Sequence, residues 1–228
     1  MTMSDLRSFT GSARRLGRRG LYYATPEHRL TPMQRFLRDG GEGLRWRGVS
    51  LNPQDVALDF GGFRGDYAAK LRRRFDCSVH VFEPIPVHVE ELRRRFGDDP
   101  KVTVHGYAVG SSTGTLEMHV DGDASGAFVS GPPTQVPVLA METVARQLPE
   151  RIALAKLNIE GGEFDLLPAM AASGVLARTA RLLVQFHAVT SQPDQDRELC
   201  RQMLARDHEC DWDYPWVWES WSSRRTTG

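Results

Sequence analysis

Cysteine is scarce, and the three present do not pair by spacing. Cys77, Cys200 and Cys210 are odd in number and form no Cys-x-x-Cys. That excludes a disulfide framework and a thiolate metal clip, and predicts buried or incidental thiols of a reducing compartment. No apolar run reaches the length of a membrane span, and the N-terminus lacks the apolar stretch of a signal peptide, so a cytoplasmic location is expected. Net charge is also missing: 29 Lys and Arg face 29 Asp and Glu, which removes any global pull toward nucleic acid or an anionic membrane. No internal repeat is found. What remains is a chain of 228 residues, 40% hydrophobic and 25% charged, long enough for one generous domain with a real core.

The chain is organised around Val56-Ala57-Leu58-Asp59-Phe60-Gly61-Gly62-Phe63-Arg64-Gly65-Asp66, followed by Val79-His80-Val81-Phe82-Glu83-Pro84. An apolar run of strand type ends in an acid and a glycine turn. Tyr67, Ala68, Leu71 and Phe75 then recur at helical spacing, with Asp66 placed to cap that helix. A second strand-type run ends in Glu83. The pattern is a β-α-β unit with a carboxylate near the end of each strand, and open α/β sheets bind ligands in that crevice. A dinucleotide fingerprint is excluded because Phe60 stands where its first glycine belongs. A charged Asp59 would also repel a pyrophosphate. A cationic ligand reverses that sign, and S-adenosylmethionine carries a sulfonium and an ammonium but no phosphate. Gly61, Gly62 and Gly65, in one turn with Phe63, would let the backbone approach the methionine portion. Glu83, 24 residues after Asp59, would accept hydrogen bonds from the ribose hydroxyls. The plainer alternative is a strand, turn and helix whose acids only cap and solvate.

The remaining pattern predicts strands near Val56–Asp59, Ser78–Phe82, Val102–Tyr107, Ile152–Ile159 and Ala180–Phe186. Helices are expected near Asp66–Phe75, Val87–Phe96, Met141–Leu148 and Asp194–Arg206. Thr115–Val120 and the run near Val136–Val138 alternate between turn-rich segments and read as short antiparallel strands inserted before the fourth strand. The tail Trp212–Trp221 reads as a terminal antiparallel pair turning near Pro215, its tryptophans packing the last strands more readily than stacking on a substrate. Residues 1–47 hold ten arginines against Asp5, Glu27, Asp39 and Glu42. Residues 1–48 are therefore expected to form a basic arm or lid over the cofactor crevice, and 49–228 the cofactor-binding domain. A nucleic-acid-binding tail is the alternative, weakened because only Tyr22, Tyr23 and Trp46 offer stacking platforms.

A second informative stretch, Lys156-Leu157-Asn158-Ile159-Glu160-Gly161-Gly162-Glu163, follows a strand and opens a helix. Four segments in order, Asp59-x-Gly61-x-x-x-Gly65, Phe82-Glu83-Pro84, Lys156-x-Asn158-x-Glu160-Gly161-x-Glu163 and Gln185-Phe186-His187, resemble the FkbM-type S-adenosylmethionine-dependent methyltransferases over about Val49 to His187. The resemblance implies an α/β, Rossmann-like class I methyltransferase fold: a seven-stranded mixed sheet with an antiparallel last strand and helices on both faces. It further implies methyl transfer to a hydroxyl of a sugar, polyketide or other small specialised metabolite. The cofactor set it implies is Asp59, Gly61, Gly62, Phe63, Gly65, Glu83, Ala108 and Asn158, with Ala108 near the adenine. Two departures stand out: Asn158 and Gln185 occupy positions where the family usually has aspartate and often glutamate. Both remove negative charge from the reaction centre.

A hydroxyl is a poor nucleophile until its proton begins to leave, so a general base is expected. His187 is the first candidate because an imidazole titrates near neutral pH, and Glu160 the second, with Asn158 beside them. The alternatives are a hydrogen-bonded structural histidine and a carboxylate that binds backbone N–H groups at the helix start. Glu163 is expected to belong to the first turn of that helix. No spacing supports a metal between Asn158, Glu160 and His187, so none is expected. Nucleic acid and membrane are not expected partners, and oligomeric state is not specified by the sequence. An N-methyltransferase and a catalytically silent cofactor-binding module are the competing readings.

Overall fold

The computed structural model describes residues 30–121, 124–126 and 133–224. The first 29 residues of the basic arm and the turn residues Gly122, Asp123, Gly131 and Pro132 lie outside them. The chain divides into a unit ending at Val49 and a larger one from Ser50. In the first, helix α1 (Pro32–Arg38) starts with a capping box in which Thr31 and Gln34 satisfy each other's backbone N–H, and a 3-10 turn (Gly41–Trp46) follows.

The larger unit is built on seven strands: β1 (Val56–Phe60), β2 (Ser78–Phe82), β3 (Val102–His105), β8 (Leu154–Leu157), β9 (Arg181–Val184), β10 (His208–Tyr214) and β11 (Trp218–Ser223). They lie in the order β10-β11-β9-β8-β1-β2-β3. The pairs β3-β2, β2-β1, β1-β8 and β8-β9 are parallel, whereas β11 runs antiparallel to both its neighbours. The expected seven-stranded mixed sheet with an antiparallel last strand is thus the one observed. Parallel strands covered on both faces read as continuous apolar runs, and Ala57 to Phe60 and all four residues of β8 are buried. The chain order reverses between β1 and β8, which opens a crevice at their carboxyl ends.

Helix α2 (Asp66–Phe75) lies against β2, and α3 (Pro86–Phe96), with a proline in its first turn, against β3. Helix α4 (Met141–Ala145), α5 (Glu163–Ala172) and α6 (Pro193–Leu204) complete the set. Leu166, Leu167 and Met170 of α5 and Cys200 and Leu204 of α6 share one core with Leu58, Phe60, Leu157, Leu182 and Val184 of the sheet.

Several expectations are corrected. Asp66 does not cap α2: Gly65 holds the cap position in the left-handed region, and Asp66 begins the helix and meets Arg95 at 2.8 Å. The third strand stops at His105 because the chain turns there into β4 (Ala108–Gly110) of a second sheet. That sheet, β4-β7-β5-β6, holds the inserted strands β5 (Gly114–Asp121), β6 (Ala124–Gly126) and β7 (Pro133–Ala140). It is not wholly antiparallel, since β4 and β7 run parallel. The fourth strand begins at Leu154, with Ile152 making only an isolated bridge to Thr179. Pro168 sits inside α5, which starts at Glu163. Trp218 and Trp221 are buried, in line with the packing role expected of the tail, and Cys77 and Cys200 are buried thiols.

Gly65 shows why the turn needs glycine. Its φ is +80°, and a Cβ there would fall 2.5 Å from the Phe96 ring and 2.7 Å from Leu92. Gly65→Ala is expected to lower the unfolding free energy by about 2–4 kcal/mol, from left-handed strain plus overpacking. Urea denaturation reads this directly, and an unchanged midpoint would contradict it.

Candidate active site

A cavity of about 450 Å³ opens at the carboxyl ends of β1, β2 and β8. Its floor is Phe60 and Phe82, stacked at 4.7 Å, with His105 stacked beneath Phe82 at 4.5 Å. A hydrogen-bonded row of Tyr107, His105 and His80 supports that floor, and burial together with the neighbouring His80 pushes the His105 imidazole down to about 4. Leu116 and Met118 of β5 and Val138 of β7 form an apolar wall from the second sheet.

Six of the ten residues predicted from sequence line this cavity: Gly61, Phe63, Glu83, Ala108, Asn158 and Glu160. Asp59, Gly62, Gly65 and His187 lie behind it. Gly62 and Gly65 are required by packing: a Cβ on Gly62 would fall 2.1 Å from Val81, as one on Gly65 would meet Phe96. Gly61 differs, for it lines the cavity and its missing Cβ leaves room for the Asn158 carbonyl, which would otherwise sit 2.0 Å away.

Asp59 is fully buried and stands opposite Lys156 in the β1–β8 register. The Lys156 Nζ lies 2.9 Å from Asp59 Oδ1, but its hydrogen bonds go to the carbonyls of Gly61 (2.7 Å) and Phe60 (3.3 Å). Neither Asp59 oxygen receives an aligned hydrogen bond. Asp59 is therefore not the free charge expected from sequence: Lys156 compensates it and ties β8 to the glycine turn.

Glu83 is 4% exposed and accepts hydrogen bonds from Phe63 N (2.8 Å, to Oε2) and Ile85 N (3.0 Å, to Oε1). Burial pushes its carboxyl above the usual range, against the pull of those two N–H groups. Phe63 (φ +48°) and Glu160 (φ +53°) are non-glycine residues in the left-handed region, and both face the cavity. Such strain collects where a side chain must be aimed.

The β8–α5 loop is organised by Glu163, which is wholly buried and accepts from Ile159 N (2.8 Å) and Gly161 N (3.0 Å). It also meets His187 Nδ1 at 3.0 Å, while His187 Nε2 faces Glu160 Oε2 at 3.5 Å. Burial disfavours the charged imidazole, but the Glu163 hydrogen bond and the Glu163 and Glu160 charges outweigh it and raise the His187 pKa. The loop-binding carboxylate foreseen as an alternative for Glu160 is Glu163 instead, which leaves Glu160 at the cavity surface.

Two participants were missed. Lys156 stands within the Lys-x-Asn-x-Glu-Gly motif, and a lysine inside a short apolar strand is the signal that a buried partner exists. Asp165, in the first turn of α5, lines the cavity and accepts Ser111 N at 2.7 Å. An acid there is ordinary for any helix start, so no local signal marks it. Among the described residues no group of three or more His, Cys, Asp or Glu is arranged to hold a metal, and no helix is long and apolar enough to cross a membrane.

Known proteins supply the rest. No curated protein sequence matches the chain significantly. Among solved structures, a protein assigned as an rRNA-methylase from Clostridium thermocellum superposes with a TM-score of 0.52 at 9% identity, covering 81% of this chain and 94% of its own. The fibrillarin/Nop5p complex gives 0.52 at 10% identity, covering 86% of this chain and 81% of the other. At such identities the likeness establishes the fold, a Rossmann-like methyltransferase sheet. Residues 57–214, well over half of the chain, match the methyltransferase FkbM domain. The chain belongs to the FkbM methyltransferase family.

Proposed function

We propose that this S-adenosylmethionine-dependent methyltransferase methylates a hydroxyl of a small specialised metabolite, of sugar or polyketide type, with Glu160 and His187 handling the departing proton. The observation that carries this reading is the row Glu163–His187–Glu160. It runs from a buried carboxylate, through an imidazole, to a carboxylate on the cavity wall.

The residues present fit the cofactor. Asn158 lines the cavity with a buried Oδ1 that has no partner, suited to an ammonium or amide donor. Glu83 keeps a lone pair on each oxygen for the ribose hydroxyls. Ala108 presents a small side chain on the adenine side. Gly61 keeps the turn close to Asn158, whereas Asp59, Gly62 and Gly65 act from behind by fixing that turn. When bound, S-adenosylmethionine supplies an electrophilic methyl on a sulfonium that leaves readily. The protein's task is then alignment and proton removal. Glu160 touches the cavity and accepts the acceptor's proton; His187 orients Glu160 and shares the proton, and Glu163 fixes the imidazole ring. Asn158, uncharged where the family usually has aspartate, offers an amide N–H to a carboxylate as well as its free oxygen.

The competing readings bear on the same residues. Asn158 and Gln185 motivate a silent binding module, and an amine acceptor would need a base only to free its own lone pair. The structural relative from Clostridium thermocellum bears the name of an rRNA-methylase, but Glu83, Glu160 and Asp165 in one cavity oppose a polyanion. Cys77 and Cys200, buried and unpaired, fit a reducing cytoplasm. Transfer of an isotopically labelled methyl group to a hydroxyl, located by NMR of the product, tests the proposal. Product methylated on nitrogen, or no turnover across an acceptor panel despite cofactor binding, would overturn it.

A pH dependence follows from Glu83. Two ribose donors would favour its anion, so cofactor binding and loss of the carboxyl's proton are linked. Affinity for S-adenosylmethionine is expected to fall as pH drops through that raised value, and Glu83→Gln to flatten the curve. Parallel calorimetric profiles for the two proteins would contradict the assignment.

A further inference from the structure

The turn that joins β10 to β11 stands at the same edge of the sheet as His187. β9 runs parallel to β8, and β8 to β1, so the carboxyl end of β9, followed by Gln185-Phe186-His187, opens where the cavity does. β11 returns antiparallel with Glu219 opposite Val184, so the turn before it, Tyr214-Pro215-Trp216-Val217, lies beyond that end. The contacts agree. The Arg197 guanidinium lies 6.0 Å from the Phe186 ring centroid and 5.7 Å from that of Trp216. One side chain therefore links Trp216 to the neighbour of His187.

Folding alone does not call for a tryptophan here. Val217 N–H donates to the Tyr214 carbonyl at 2.9 Å, closing a four-residue turn with Pro215 second and Trp216 third. A positive φ at the third position favours glycine or asparagine, yet Trp216 holds φ +62°. Of the other described non-glycine residues in that region, Asp76 caps α2, and Phe63 and Glu160 face the cavity. Trp216 is also unlike the buried Trp218 and Trp221. It is half-buried, and its indole N–H has no hydrogen-bond partner among the described residues. Arg197 steadies the ring, donating to Asp213 Oδ1 at 2.6 Å and lying 2.5 Å from Oε1 of the buried Glu219.

The cavity leaves the acceptor at its rim. About 450 Å³ is the size of a pocket for one ligand, and the cofactor set already claims it. The Glu160 side chain is 41% exposed and faces His187, so an acceptor hydroxyl reaches it from the His187 side. Gln185 sits there too, half-buried, with a side-chain amide that has no partner among the described residues.

We propose that Trp216 selects the acceptor: a pyranose ring lies against the indole, accepts its N–H, and turns one hydroxyl toward Glu160 while Gln185 bonds another. The proposal rests on the methyltransferase reading and deepens it by naming the residue that recognises the ring. An indole joins a broad apolar surface to a single N–H donor, which suits a ring with C–H faces and a hydroxyl edge. An apolar ring of the same size leaves the N–H and the amide unpaired and binds more weakly.

Methyl β-glucopyranoside, methyl α-mannopyranoside and phenyl β-glucopyranoside are titrated into the full chain saturated with S-adenosylhomocysteine, with cyclohexylmethanol as the ring without ring hydroxyls. Ligand-observed NMR follows each. At least one pyranoside is expected to bind about tenfold more tightly than cyclohexylmethanol. Trp216→Gly relieves the strained φ, and Trp216→Leu keeps an apolar side chain there without the indole. Both are expected to weaken that pyranoside about tenfold while S-adenosylhomocysteine affinity stays within about twofold. No pyranoside binding by the loaded wild type, equal binding of cyclohexylmethanol, or unchanged pyranoside affinity in a folded variant would overturn the proposal. Loss of both ligands together in the variants would also overturn it, reducing Trp216 to packing. Failure of S-adenosylhomocysteine to bind the wild type would instead overturn the methyltransferase reading beneath it.

Discussion

Glu160→Gln is expected to lower kcat by about 10²–10⁴-fold, the range a positioned general base contributes, with S-adenosylmethionine binding retained. Glutamine keeps the size and hydrogen bonding of glutamate but cannot hold the acceptor's proton. The left-handed backbone at Glu160 and the fixed loop around Glu163 aim that one side chain into the cavity. His187→Gln is expected to cost a comparable factor, and the double variant little more than either single one, because the two residues act as a unit. The pH profile separates this from a merely structural histidine. His187 holds its proton above the ordinary imidazole range, so wild-type activity should rise with pH through that raised value, and this limb should vanish in His187→Gln. Stability follows the same linkage. The folded chain binds this proton more tightly than the unfolded one. The contribution of His187 to stability is therefore full below the ordinary imidazole value and lost as pH rises through the raised one. A His187→Gln enzyme with wild-type kcat and an unshifted profile would reduce the residue to packing.

Lys156→Met is expected to destabilise the protein by about 3–5 kcal/mol, as breaking a buried ion pair from one side commonly does. Lys156 is 4% exposed and Asp59 fully buried, so methionine would leave a carboxylate with no compensating charge and the Gly61 carbonyl without this donor. Replacing both partners, as in Asp59→Asn with Lys156→Met, should recover a large part of that loss. A well-packed neutral pair removes the orphaned charge. Cofactor affinity should not recover with it, because the bond from Lys156 to the Gly61 carbonyl is still absent. Urea denaturation and calorimetry on the three variants distinguish these outcomes. If the double variant is as unstable as Lys156→Met, charge compensation is not what holds this corner together.

The β-α-β core and the last hairpin were legible because each is local: an apolar run, a glycine turn and a helical repeat lie within thirty residues of chain. Glu83 was readable for the same reason, as an acid ending a strand. What could not be read was any feature fixed by distant register. Asp59 and Lys156 are 97 positions apart and meet only because β1 pairs with β8, so the sequence offered Asp59 as a free charge when it is a compensated one. The glycines were visible as a turn, but whether the space left by each Cβ faces a ligand or Val81 and Phe96 depends on helix packing. The second sheet appeared as alternating segments with no hint that it walls the cavity. Asp165 gave no signal, since helix starts favour acids for reasons unrelated to a site.

The central claim is that the cavity at the ends of β1, β2 and β8 holds S-adenosylmethionine, with Glu83 on the ribose. Calorimetric titration of the cofactor into wild type and Glu83→Ala tests it most directly. The account predicts micromolar binding to wild type and at least tenfold weaker binding to the folded variant, about 1.4 kcal/mol. Equal affinity in the two proteins, or no binding by folded wild type, would contradict it.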